Sequence, residues 1–337
     1  MKKLKTLVMF DSAGSPPANQ DFTEEFKKED WLTEARVIET LKQLGHQVRT
    51  LGVYDNLTLI LKELYRHKPD VVFNLTEVFS GKVHLDKNIP AIFELADLPY
   101  TGCGPVGLVI CNNKALTKKI LTFHRIKVPN FRIFRKGRKV WHPKNLRFPL
   151  IVKPLQEEAS TGIAQASFVE NEKDLHVRVR FIHEQFNMPA LAEEYIDGRE
   201  LYASVLGNNR LRIFPLREMK FSEVPEDEPK LATYKAKWDT KYRKKWGITN
   251  VSAGRLPDGV PEKISQICKK AYRVLLMDGY GRFDLRLTPK GEIYIIEANG
   301  NPSLSIDDEF AESAKKADLS YDKLLQNILT LAFQRER

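Results

Sequence analysis

The sequence predicts an α/β (α+β) fold built of more than one domain, on three observations. Its 337 residues exceed what one ordinary core organises, since domains run to roughly 100–200 residues. Up to about residue 106, apolar strand-like runs alternate with helical stripes, which argues for a parallel α/β layer. Two further blocks, 107–187 and 188–337, mix strands with helices.

In the first block "KTLVMF" suits a buried strand. "LTEARVIETLKQLGH", residues 32–46, carries apolar residues at helical spacing and stops at Gly45. "QVRTLGVY" and "DVVFNLT" are strands, with the helix "LTLILKELYRH" between them, and "IPAIFELADLP" adds a helix with Pro90 near its first turn. Asp11 to Asp30, polar and with two prolines, reads as a mobile loop. The second block offers the helix "NNKALTKKILTFHRI", the strands "NFRIFRK", "FPLIVKP" and "GIAQASFV", and the helix "EKDLHVRVRFIHEQF". The third opens on the strands "PALAEEYI", "RELYASVL" and "RLRIFPLREMKF". A polar, charged segment from Glu223 to Asn250 follows, then the helix "PEKISQICKKAYRVLLM", a hairpin, and the amphipathic helix "YDKLLQNILTLAF". There is no internal repeat.

Composition excludes several classes. Apolar runs fall far short of the roughly 20 residues a membrane span needs. The opening "MKKLKTLVMFDSAG" imitates a signal peptide, but its apolar run ends at Asp11, so a first strand and a cytoplasmic location are expected. Cys103, Cys111 and Cys268 are too scattered for a disulfide framework or a CxxC clip. The net charge of +10 suits anionic ligands, small or polymeric.

The hairpin "GRFDLRLTPKGEIYIIEANGNP", residues 281–302, carries more charge than a structural ribbon requires. Side chains alternate faces, so Phe283, Leu285 and Leu287 point one way and Arg282 and Asp284 the other. On the return strand, Glu297 and Asn299 share a face with Ile293 and Ile295. With Thr288 to Gly291 unpaired, Asp284 lies opposite Ile295, Arg282 lies opposite Glu297, and the four polar groups share one face. Two readings fit: a magnesium site built from two carboxylates and an amide, or a cross-strand Arg–Glu pair with a capping Asn.

Upstream, "FPLIVKPLQEEASTGI" sets Lys153 at a strand end before the small-residue loop Ala159-Ser160-Thr161-Gly162, whose backbone amides could approach phosphate. It is not a GxxxxGK[ST] loop. "LAEEYIDGREL" offers Glu193 and Glu200 for a nucleoside. In this order the motifs resemble the ATP-grasp superfamily, and within it the D-alanine–D-alanine ligase family, over nearly the whole chain. "LPYTGCGPVGLVICNNKALTKKIL" resembles that family's "PYTG…K…K" segment, "IVKP" its second lysine, and "EEASTGI" its phosphate-covering loop. "YKAKW" is similar to "Y-x-A-K-Y", and "GRFDLRL…YIIEANGNPSLS" to "R-x-D…E-x-N…P-G".

The resemblance implies a three-domain ATP-grasp architecture, with an N-terminal parallel α/β domain (1–106) and ATP held between a central domain (107–187) and a catalytic domain (188–337). It implies ATP with two Mg²⁺ ions, or Mn²⁺ in their place, and peptide-bond formation through an acyl phosphate. It assigns Lys114, Lys153, Ser160 and Gly162 to the phosphates. Glu193 goes to the adenine amino group, Tyr195 and Ile196 to the ring, and Glu200 to the ribose. Asp284, Glu297 and Asn299 are assigned to metal, Arg282 to the acyl group, and Tyr234 and Lys237 to a closing loop. The partners are small carboxylate or amino-acid substrates, with a homodimer expected by analogy and no membrane.

The basic run "KLATYKAKWDTKYRKKWG" gains the role of a lid that keeps water from the acyl phosphate. Its rivals are a solvated loop and an RNA-binding patch of lysines interleaved with Trp238, Tyr242 and Trp246. Three positions depart from the family. The N-terminal loop lacks the family's ammonium-binding Glu, for which Glu29 and Asp30 align poorly. Thr76 and Glu77 stand where the family has His-Gly, and Ser303 replaces a Gly. Three functions therefore stand: a ligase of amino acids such as D-alanine, the same ligation on another acid, or a nucleotide- or RNA-binding protein without turnover.

Overall fold

A computed structural model describes residues 3–17, 20–157, 160–225 and 228–335. Ala159 of the small-residue loop, and Glu158 before it, lie outside them. The N-terminal unit holds β1 (Lys5–Asp11), α1 (Leu32–Gln43), β2 (Gln47–Val53), α2 (Leu57–His67), β3 (Val71–Leu75), α3 (Asn88–Leu95) and α4 (Pro105–Cys111). Its parallel sheet runs β2-β1-β3, as the alternation of strands and helices predicts. The Asn56 side chain caps α2 by accepting from the Leu59 amide.

From Phe22 onward the 11–30 segment departs from the expected mobile loop. Phe22, only 5% exposed, stands edge-on to Phe10 at 5.0 Å, and Phe26 and Trp31 close the aromatic cluster. Short 3-10 turns at Glu25–Lys27 and Glu29–Trp31 hold it in place. Aromatic burial outweighs the polar sequence around it.

The central unit comprises α5 (Lys114–Phe123), β4 (Phe131–Phe134), β5 (Leu150–Pro154), β6 (Phe168–Val169), α6 (Glu172–Gln185) and β7 (Ala190–Glu194). Two strand expectations change here. "GIAQASFV" becomes a 3-10 turn, Gln165–Ser167, with strand only at Phe168–Val169. The strand in "PALAEEYI", read as opening the third block, pairs instead with β4 and β5, giving the order β4-β7-β5-β6. The crossing between sheets therefore falls at the connection after Glu194, around Gly198.

The C-terminal unit holds β8 (Arg199–Leu206), β9 (Arg212–Ile213), β10 (Arg217–Phe221), α7 (Tyr234–Trp238), α8 (Thr240–Lys245), β11 (Ile248–Ser252), α9 (Val260–Val274), β12 (Tyr280–Leu287), β13 (Ile293–Asn299), α10 (Glu309–Lys316) and α11 (Tyr321–Ala332). Its antiparallel sheet runs β11-β10-β8-β12-β13. The basic segment is partly built in: Ala236 is buried, and Tyr242 and Trp246 pack beside Tyr202, Met219 and Ile248. Two aromatics of the supposed RNA patch thus serve a small core. Helix α11 returns to pack against α1 and β3, sharing one apolar core with Val8, Phe10 and Phe73.

The hairpin register differs from the expected one. Leu287 faces Ile293 and Leu285 faces Ile295, but Asp284 then faces Glu297 and Arg282 faces Asn299. Ile296 is the extra residue of a bulge. A bulge adds one residue to one strand and so reverses its alternation. Ile293 and Ile295 therefore join Leu285 and Leu287 in the apolar core, and do not share a face with Glu297 and Asn299. The four polar residues do end on one face, by way of the bulge.

Removing the Phe22 ring is expected to cost about 3 kcal/mol, the low end for a large buried aromatic. Urea unfolding of Phe22→Ala checks this; an unchanged midpoint would show that the aromatic cluster does not anchor the segment.

Candidate active site

The site forms where three pieces meet: the start of α5, the inner strands β5 and β7, and the charged face of the β12–β13 hairpin. Helix α5 begins at Asn113, whose side chain accepts from the Leu116 amide. Lys114 therefore sits in the first turn, and Lys118 follows one turn later on the same face. Both are buried. Lys114 donates to the Glu157 carbonyl and lies 2.9 Å from Glu297 Oε1. Lys118 Nζ lies 2.9 Å from Glu193 Oε2 and donates to the Ile296 carbonyl at 3.0 Å.

Lys153, on β5, is also buried and reaches Glu193 Oε1 at 2.6 Å. On β12, Arg282 Nε donates to Asp284 Oδ1 at 2.7 Å, and Asn299 Nδ2 donates to the same oxygen at 3.2 Å. Lys237 Nζ stands 3.8 Å from Asp284 Oδ2. Glu200 takes Arg286 Nη2 at 2.6 Å. Six cationic side chains thus face the four carboxylates Glu193, Glu200, Asp284 and Glu297, which leaves room for an anionic ligand.

The pKa directions follow from this crowding. Burial alone would push the Glu297 carboxyl up, but Lys114, Lys153 and Lys237 hold it well below the usual carboxylate range. Burial likewise opposes the charge of Glu193, yet Lys118 and Lys153 bring it below its ordinary value. Burial would lower Lys153, and the Glu193 and Glu297 carboxylates reverse this into a net rise. For Lys118 burial wins, and its ammonium sits below the ordinary lysine value. For Arg282 burial is overcome by Asp284 and Glu309, so the guanidinium stays charged.

Two cavities open side by side. One is bordered by Lys153, Ser160, Glu193, Tyr195, Ile196, Glu200, Lys237, Asp284 and Glu297, which is most of the nucleotide set expected from sequence. The other, of about 270 Å³, is bordered by Arg282, Asn299 and Lys237 with Glu77, Asp86, Asp308 and Glu309. Lys237 borders both.

Lys114, Gly162 and Tyr234 border neither. Lys114 instead stands behind Glu297. Gly162 has φ +75°, and a Cβ there would meet Pro154 Cγ at 2.6 Å, so its contribution is backbone shape. Tyr234, expected in the closing loop, turns its side chain to solvent. It lies two residues before the buried Ala236, about 200° around the helix, and is 52% exposed. Only its backbone joins the closure: the Tyr234 amide donates to the Ile163 carbonyl at 3.0 Å. Ser160 Oγ donates to the Ala232 carbonyl at 2.8 Å, so the small-residue loop and the basic segment are tied together.

Lys118 and Arg286 are among the site residues that sequence reasoning missed. Lys118 was visible as the i+4 partner of Lys114. Arg286 was hidden, because only the fold brings it to Gly198, Glu200 and the Lys230 carbonyl.

The donor set fits a divalent cation of the hard class. Asp284 and Glu297 are direct partners across the hairpin, with Asn299 beside them, and all three offer oxygen. Among the described residues no three His, Cys, Asp or Glu side chains gather into a cage. Two carboxylates and an amide oxygen are a set that Mg²⁺ takes from a protein, its shell being completed by water and substrate phosphates.

A depressed carboxyl adds stability above its unfolded pKa, roughly 4.3, and that stability is lost as pH falls through the folded value. The acid side of the unfolding-midpoint profile, below about pH 4, is therefore expected to be flatter in Glu297→Gln than in the parent protein. Superimposable profiles would contradict the placement of Glu297 among the lysines.

Comparisons with known proteins identify the family. The family model "D-ala D-ala ligase C-terminus" matches residues 120–330. A D-alanine–D-alanine ligase of Desulforudis audaxviator (strain MP104C) is 31% identical over 261 residues, covering 76% of this chain and 79% of that protein. An uncharacterized protein, y4sG, of Sinorhizobium fredii (strain NBRC 101917 / NGR234) is 30% identical over 304 residues, 89% and 87% of the two chains. The crystal structure of a D-alanine–D-alanine ligase from Bacillus anthracis complexed with ATP superposes with a TM-score of 0.73 over 98% of both chains at 19% identity, which shows the shared fold. The chain belongs to the D-alanine–D-alanine ligase family and has its ATP-grasp fold, that of ATP-dependent ligases which form C–N bonds.

Proposed function

We propose that the chain binds ATP in the Lys153–Glu200 cavity and uses it to join a carboxylate to an amine in the adjoining cavity. The observation that carries this is the shared wall: Lys237, Asp284 and Glu297 border the nucleotide side, and Lys237, Arg282 and Asn299 the other. A carboxylate oxygen attacks the γ-phosphorus, ADP leaves, and an acyl phosphate forms. The amine nitrogen then attacks the acyl carbon, loses a proton, and inorganic phosphate departs. Asp284, Glu297 and Asn299 would hold Mg²⁺ or Mn²⁺, which when bound neutralises phosphate charge. Lys114 and Lys153 supply fixed positive charge to the phosphates, which is most of what phosphoryl transfer asks of a protein. Arg282 faces the acyl carbon's oxygen, where one donor is worth about 3–4 kcal/mol. The joined loops at Ser160 and Ala232 exclude water from the acyl phosphate.

The second cavity favours a substrate other than a simple zwitterion. Glu77, Asp86, Asp308 and Glu309 border it, while of its two cations Lys237 leans on Asp284 and Arg282 is shared between Asp284 and Glu309. Burial, with the carboxylates of Glu34, Asp86 and Asp308, pushes the Glu77 carboxyl up. A substrate bearing an extra ammonium or guanidinium relieves that repulsion, whereas a second carboxylate adds to it. We therefore favour ligation of a basic amino acid or diamine over that of D-alanine.

Phosphate release with ATP, Mg²⁺ and separate amine pools tests the choice. Lysine, ornithine, arginine and short diamines are expected to drive release at least tenfold faster than D- or L-alanine and serine. Release driven by D-alanine alone would contradict it and assign the family's dipeptide. Independently, Asp284→Ala and Glu297→Ala are each expected to lose more than about a hundredfold in turnover while remaining folded by circular dichroism. Lys153→Ala is expected to weaken ATP binding in a calorimetric titration. Normal turnover in Glu297→Ala would remove it from the phosphate chemistry.

A further inference from the structure

Lys118 stands outside every role given so far. It is 1% exposed, projects from the second turn of α5, and its ammonium has two partners on two other elements. One is Glu193 Oε2 on β7, at 2.9 Å. The other is the carbonyl of Ile296 on β13, at 3.0 Å. Ile296 is the residue that the hairpin bulge adds. That single extra residue turns Glu297 and Asn299 from the apolar face to the charged one. A bulged residue leaves the ladder locally disrupted, so its carbonyl needs a donor from elsewhere, and a buried carbonyl without one is costly. Lys118 is the donor. The same ammonium shares Glu193 with Lys153, which fixes where the Lys153 ammonium lies.

We infer that Lys118 is a positioning residue: it pins the Ile296 bulge and the Glu193 carboxylate, and thereby sets Glu297 and Lys153 at the metal and phosphate positions. The inference rests on the ATP and metal reading of the same site. Lys118 touches neither ligand. Its effect passes through the bulge on one side and through Glu193 on the other. A lysine is suited to this because its ammonium carries three donors and a full charge, whereas a neutral donor would leave Glu193 with Lys153 alone.

The test uses the full chain with Mn²⁺ and a non-hydrolysable ATP analogue, and follows bound Mn²⁺ by its electron paramagnetic resonance signal. Lys118→Met is expected to weaken nucleotide-dependent Mn²⁺ binding at least tenfold and to lower kcat for phosphate release more than it raises KM for ATP. Lys119→Met, at the exposed neighbouring position, is expected to match the parent in both. Parent-like Mn²⁺ affinity and kcat in Lys118→Met would overturn the assignment. Should that variant not fold, Glu193→Gln is compared with Glu193→Gln/Lys118→Met, which removes both charges of that pair together. Weaker Mn²⁺ binding in the double variant supports the role, and equal binding overturns it. If the parent itself binds no Mn²⁺ with the analogue, the ATP and metal reading falls and takes this inference with it. If the parent binds and Lys118→Met binds equally, only the role of Lys118 falls.

Discussion

Two carboxylates set among buried cations, Asp284 buried and Glu297 largely so, constrain everything else in this structure. Each would be costly to bury alone, since an uncompensated charge in a protein interior costs several kcal/mol. The chain meets that cost by converging cations on them from different elements: Arg282 from the same strand, Lys237 from the basic segment, and Lys114 from the start of α5. Such convergence cannot be local. It requires the central unit to lie against the C-terminal sheet, so the charge pairs and the domain arrangement imply each other. Phosphates and a divalent cation would fit the same exchange, with the anion meeting the lysines and the metal meeting the carboxylates.

The closure of the site rests on backbone groups more than on side chains. Ser160 and Ile163 of the small-residue loop bond to Ala232 and Tyr234 of the basic segment. Arg286 reaches from β12 to the Gly198 and Lys230 carbonyls. Loop, segment and connection between sheets are thereby fastened to the strand that carries Asp284. A segment rich in lysine can therefore serve as a cover without forming a core of its own, because Ala236, Tyr242 and Trp246 anchor it from beneath.

Much of this was legible in the sequence, and the parts that were not share a cause. The alternating pattern of the first block gave the parallel sheet, and Lys153, Glu200, Asp284 and Glu297, singled out from the chain, line one cavity with Lys114 behind it. Periodicity assumes regular strands, so the bulge at Ile296 was out of its reach, although its outcome, four polar groups on one face, was anticipated. Propensity treats residues 11–30 as polar, and only the fold shows that Phe22 meets Phe10. Helix geometry turns Tyr234 outward, which a motif alone cannot register. Arg286 and the sheet membership of β7 depend on pairing between distant segments, information that one sequence does not contain. The acidic border of the second cavity is likewise assembled from Glu77 and Asp308, far apart in the chain.

A crystal structure of the protein with Mn²⁺ and a non-hydrolysable ATP analogue tests the central claim most directly, because anomalous scattering locates the metal without reference to turnover. Manganese is expected between Asp284 and Glu297, with the phosphates among Lys114, Lys153 and Lys237 and both carboxylates released from their present cation partners. A nucleotide seated elsewhere, or the metal absent while Asp284 and Glu297 keep Arg282 and Lys114, would contradict it.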